Sequence, residues 1–183
     1  MGRRPTIDRE KVLDIVEAIL LRDGTAGLTI DAVARAAGIS KGGVQSRFGT
    51  KNDLIAALLE RGDREYLAQV AAAVGPSPGP VDAVRGNVAA SVEMALANGG
   101  KARAAAFLAA MIEAREHLAS VSTWYRDRFG GLDLESEEGR RARLALFATE
   151  GAFILDALGF FRLQEEEWRS LSADLHALIE GKL

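Results

Sequence analysis

With 183 residues, 48% of them hydrophobic and 27% charged, the chain has a normal globular balance and room for one substantial domain, or a small one joined to a larger one. It contains no Cys and only two His, His117 and His176, which excludes disulfides, thiol nucleophiles and Cys-based zinc sites. A net charge of −3 argues against indiscriminate nucleic-acid binding, but residues 1–53 carry nine Lys/Arg against seven Asp/Glu, and residues 54–183 fourteen against nineteen. A mildly basic head (1–53) on an acidic body (54–183) is therefore expected.

The predicted elements are helices throughout, with no sustained period-two alternation. Arg3 and Arg4 in the opening "MGRRPTIDREK" read as a basic arm to minor groove or phosphate, or as disordered terminal charges, rather than as part of a lipidation or export signal. The first helix runs from about Asp8 to Asp23, capped by Thr6 or Asp8 and ended by Gly24. Its apolar stripe is Val12, Ile15, Val16, Ile19 and Leu20. Thr29 caps a second helix, Ile30 to Ala37, stopped by Gly38; Ser40 caps a third, Lys41 to Phe48. Thr50 and Asp53 form a capping box for a fourth helix reaching about Val74.

"GPSPGP" at 75–80 is the plainest break, and Pro80 suits the first turn of a helix continuing to Asn98. Lys101 to Phe129 is expected to hold two helices with a bend near Arg115, followed by the loop "GGLDLESEEG". The last two helices cover about 140–161 and 165–181, giving about nine in an all-α chain. The apolar run from Leu144 to Phe161 approaches membrane-spanning length, yet it contains Glu150 and Asp156, which are costly in lipid. No membrane association is expected, and the cytoplasm is the expected location.

Two short helices joined by a tight turn at "AAGIS" form a helix-turn-helix pattern, whose second helix enters the DNA major groove. The third helix would turn Lys41, Gly42, Gly43, Gln45, Ser46 and Arg47 to solvent while Val44 and Phe48 anchor it inward. Glycine within a helix costs about 0.5–1 kcal/mol relative to alanine. Two of them at the leading end let backbone approach a duplex closely, where free N–H groups meet phosphate or base edges. Taken alone, "SKGG" also suits a flexible loop before a packing helix.

The series Val12, Ala18, Gly24, Thr29, Val33-Ala34, Ala37-Gly38-Ile39-Ser40-Lys41-Gly42, Phe48, Lys51 and Leu54 resembles the DNA-binding head of TetR-type bacterial transcriptional repressors. The resemblance is dense over residues 8–59; the rest matches in helix number, length and order. It implies that Thr29 caps the second helix and touches phosphate. Lys41 and Gly42 would contact phosphate or base, and Lys51 would hold phosphate. Gln45 stands where the family commonly has Tyr, and Arg47 where it commonly has His. Gln can bond adenine and Arg guanine bidentately, so Arg47 is either a base reader or a phosphate or solvent-facing charge.

The eighth helix is apolar around nearly its whole circumference, and the ninth carries Trp168, Leu171, Leu175 and Leu178 at seam spacing. As the resemblance implies, these helices would build a homodimer interface, with Ala148, Gly151, Ala152 and Gly159 allowing close approach beside Leu155; ordinary intrachain core is the alternative. Met94, Phe107, Met111, Trp124, Phe147 and Phe153 are candidate walls of an effector pocket, with plain core the commoner role for each such residue. Glu150 would pair with an Arg or accept a bond from a ligand. No nucleophile–base pair, phosphate loop or metal cluster points to an enzyme, and no cofactor is implied. The expected activity is ligand-responsive repression by a homodimer on a near-palindromic double-stranded DNA operator, released by a small apolar or aromatic effector. A helical scaffold or small-molecule binder without DNA activity is the alternative.

Overall fold

A computed structural model describes residues 8–113 and 116–183. Arg3, Arg4 and Thr6, the bend expected at Arg115 and the side chain of His117 lie outside the described residues. Among the described residues there are nine helices and no strand: α1 (Arg9–Gly27), α2 (Ile30–Ala37), α3 (Lys41–Phe48), α4 (Lys51–Val74), α5 (Pro80–Leu96), α6 (Gly100–Glu113), α7 (Glu116–Phe129), α8 (Glu137–Ala157) and α9 (Glu165–Glu180).

Most boundaries have a local cause. The Asp8 carboxylate accepts from the amides of Glu10 (3.1 Å) and Lys11 (3.4 Å), and α1 breaks at Gly24, where φ is 66°. Thr29 Oγ1 accepts from the Ala32 amide at 3.1 Å to start α2. Gly38 ends that helix at φ 66° and ψ 27°, a left-handed conformation that a residue with Cβ adopts only under strain. At α4 the predicted box is present: Asp53 accepts from the Thr50 amide at 2.7 Å, and Thr50 Oγ1 accepts from the Asp53 amide at 3.2 Å. The eighth helix begins earlier than expected because Ser136 caps it through the Gly139 amide at 3.0 Å. It also ends earlier, since the chain turns at Gly159 to bring the Leu163 amide back onto Asp156 at 3.2 Å.

The described chain falls into two compact units. The first runs to Asp63 and includes the stretch from Ala106 in α6. Its core joins Val16 of α1, Val33 of α2 and Val44 of α3 to Leu54, Ile55 and Leu58 of α4, all buried. The first turns of α4 thus complete the head, and the unit ends ten residues beyond the expected 53/54 division. Arg61, only 8% exposed, ties α4 to α1 through Asp14 (2.7 Å) and Glu17.

The second unit contains Arg64–Ala105 and the chain from Glu116 to Leu183. Helix α5 packs on α8 and α9, and α7 on α5, around Val84, Val88, Ala145, Leu146 and Ile179. A polar latch fixes the α8–α9 connection: buried Asp156 accepts from Trp168 Nε1 at 2.6 Å and pairs with Lys101 at 2.8 Å. No helix among the described residues is long and apolar enough to cross a membrane.

Candidate nucleic-acid interface

Helix α3 is held by two buried side chains, Val44 and Phe48, and Phe48 also lies under the Arg9 guanidinium at 5.5 Å. On its other side Lys41, Gly42, Gln45, Ser46 and Arg47 are exposed, Gly43 is half-buried, and Thr29 is exposed nearby in sequence at the start of α2. Lys41 Nζ lies 3.2 Å from the Asp31 carboxylate of α2, which steadies its charge at the leading end of α3. The Gly43 amide is not available as expected, because the Ser40 hydroxyl accepts from it at 3.1 Å. A Cβ added to Gly42 would meet no atom within 4 Å, so nothing inside the folded chain demands glycine there.

Lys51 has partners inside the first unit. Its ammonium donates to the Thr25 carbonyl at 2.6 Å and to Glu113 at 3.1 Å, so it is tied within the first unit. Hydrogen bonds from Thr25 and Lys51 in turn hold the Glu113 carboxyl below its ordinary range.

The candidate effector residues are divided between the two units. Phe107 and Met111 belong to the first unit, where Phe107 packs against the head core. Phe147 is 68% exposed in the second unit. Met94, Trp124, Glu150 and Phe153 are all half-buried in the second unit. Glu150 meets neutral donors instead of the Arg considered above: Tyr125 Oη at 2.6 Å and Asn87 Nδ2 at 3.1 Å. Tyr66 Oη extends the network by donating to Asn87 Oδ1 at 2.8 Å. Burial first, and then the Glu150 charge and Tyr66, push the Tyr125 hydroxyl pKa well up. Sequence reasoning missed Tyr66, Asn87 and Tyr125. The available signal was Asn87, a polar residue on the Val84/Val88 face of α5 that has to find a partner when buried.

The seam assigned to α9 is spent within the subunit: Trp168 is 1% and Leu175 5% exposed, and Leu171 and Leu178 pack on the same core. The open apolar face belongs to α8 and its C-cap: Leu144, Phe147 and Leu155 of the helix and Leu158 just after it are exposed along one stripe with Ala148. Gly151 and Ala152 are half-buried beside it. Among the described residues no cluster of three metal-ligating side chains occurs.

Known proteins share this fold. Residues 14–58 match the tetR family of bacterial regulatory proteins, and residues 81–180 match the tetracyclin repressor-like C-terminal domain. No curated protein matches the sequence. A TetR-family transcriptional regulator from Streptomyces coelicolor has a similar structure, with a TM-score of 0.71, 22% identity and coverage of 98% of this chain and 91% of that one. For a transcriptional regulator from Rhodococcus sp. Rha1 the values are 0.63, 21%, 96% and 98%. The multidrug binding protein EbrR complexed with malachite green gives 0.62, 21%, 94% and 98%. At these identities the structural likeness establishes the fold, while the two sequence matches span the head and most of the body. The chain belongs to the TetR family of bacterial transcriptional regulators.

Proposed function

We propose that the protein is a cytoplasmic, homodimeric repressor that reads a near-palindromic operator through α3 and lets go when a small aromatic effector enters its second unit. The observation that carries this reading is the exposed face of α3, with Lys41, Gln45, Ser46 and Arg47 around a glycine that the fold itself does not require. Backbone at Gly42 can lie against a duplex, Gln45 and Arg47 have the donors for base edges, and Lys41 neutralises phosphate. Lys51 would reach phosphate only by exchanging Glu113 for it.

A single short recognition helix rarely specifies a site alone, so two copies are needed, reading half-sites about 34–36 Å apart. The apolar stripe on α8 is suited to that association, and Gly151, where an added Cβ meets nothing within 4 Å, leaves space for a facing helix. Small-molecule control is supported by the carboxylate and ring cluster of the second unit, and by the malachite green complex of the structurally similar EbrR.

Selection of bound sites from random duplexes, followed by band shifts, tests the proposal. Sites with two-fold symmetry are expected, with affinity that falls steeply as salt rises. Lys41→Ala and Arg47→Ala should each weaken binding by about tenfold or more, a loss near 1.4 kcal/mol. Unaltered affinity in both variants would refute the assignment of α3.

A further inference from the structure

We propose that Asp31 and Glu113 set the selectivity of the head: their carboxylates neutralise Lys41 and Lys51 toward arbitrary duplex, so that these lysines count only in a closely docked complex. The proposal rests on the regulator reading and names residues that decide which duplexes the head retains.

The first unit pairs most of its own cations. Lys11 lies 3.8 Å from Asp8, Arg9 3.7 Å from Glu60, Arg22 2.6 Å from Asp23 and Arg61 2.7 Å from Asp14. Lys41 Nζ is 3.2 Å from both oxygens of Asp31, and Lys51 Nζ is 3.1 Å from Glu113. Among the described residues of this unit only Arg35 and Arg47, both exposed, have no ion pair. Arg47 is therefore the one charge on α3 without a counter-charge, while Lys41 beside Gly42 already has one.

Stability gives little reason for the pair at Lys41. Its side chain is 57% exposed and that of Asp31 59%, and ion pairs so open to water contribute little to folding. Thr29 caps α2 through the Ala32 amide without help from Asp31. The acid instead stands against the exposed face of α3, where a negative charge works against phosphate. Glu113 does the same to Lys51 from 62 positions away, at the end of α6.

Attraction to arbitrary duplex comes from net charge and from the counterions released as phosphates are neutralised. A lysine paired with a carboxylate adds almost nothing to that term, because the pair has no net charge. Close docking changes the balance. An ammonium has three donors, so Lys41 can bond a nearby phosphate while keeping Asp31. Lys51 exchanges Glu113 for phosphate only at the same short range. Gln45 and Arg47 hold the duplex that close only where its bases fit them. The two carboxylates thus weaken binding to arbitrary sequence more than binding to the operator.

The test measures fluorescence anisotropy across a salt series with two duplexes of about 30 base pairs, one of mixed sequence and one an operator recovered by selection. The unaltered chain is compared with Asp31→Asn and Glu113→Gln, which keep shape and remove charge. Each variant should bind the mixed-sequence duplex about fivefold or more tightly than the unaltered chain, with the slope of log affinity against log salt steeper by about 0.9 per subunit. Operator affinity should rise by less than about twofold, so the preference for the operator falls. A carboxylate that merely supports its helix would leave the slope unmoved. An unchanged slope or an undiminished preference in either variant overturns the proposal and leaves the regulator standing. A chain that ignores both duplexes, with and without the substitutions, overturns the regulator as well.

Discussion

Gly42 separates the needs of folding from those of binding. It occupies the first turn of an eight-residue helix and has open space where a side chain would go. Gly42→Ala should therefore raise resistance to urea, by about 0.5 kcal/mol, through helix propensity and a less flexible unfolded chain. The same methyl group would stand between backbone and duplex, so operator affinity in a band shift should fall at least as far as it does for Lys41→Ala. A stabilised variant with undiminished affinity would mean that the segment does not lie against DNA. Spacing alone identified Gly42 because a glycine in a helical pattern is conspicuous. Glu150 stood out equally as a carboxylate in an apolar run, but its partners Asn87 and Tyr125 are 63 and 25 positions away, where no local pattern links them.

The latch between α8 and α9 shows how one carboxylate can fix the path of a connection. Burial alone would raise the Asp156 pKa, but the Lys101 ammonium and the N–H groups of Trp168 and Leu163 outweigh it and hold the carboxyl below its ordinary value. A lowered folded-state pKa contributes stability that is fully present above the unfolded value, about 3.9, and is lost as pH falls through the folded value. Asp156→Ala leaves Trp168 Nε1 without its acceptor and Lys101 without its charge partner. With Lys101 partly open to solvent, the expected cost is about 2–3 kcal/mol in chemical denaturation. Acid titration of the unaltered chain should show a loss of stability below about pH 4 that is smaller in Asp156→Asn. If the acid limbs of the two proteins coincide, the latch is not the source of that loss.

For the whole molecule, the apolar stripe of α8 is the feature that a single chain leaves unfinished. Phe147 is 68% exposed in the subunit, so Phe147→Glu should change the stability of an isolated subunit by no more than about 0.5 kcal/mol. In a dimer closed through α8, the same change would place a charge in the interface. Sedimentation should then reveal monomers where the unaltered chain gives dimers, with operator affinity falling in parallel. A Phe147→Glu protein that remains dimeric would move the interface away from this stripe.

The sequence by itself determined the helices and the reading head, because caps, glycine stops and apolar periodicity act over a few residues: Thr29, Gly38, Ser40 and the Thr50–Asp53 box each work within one turn. Only the tertiary structure decided what those helices face. It drew Phe107 of α6 into the head core and gave Lys51 to Glu113. It also consumed Trp168 and Leu175 inside the subunit while leaving Phe147 outside. The reason is that helical periodicity specifies that a face must be covered, whereas the partner that covers it is set by contacts between residues far apart along the chain.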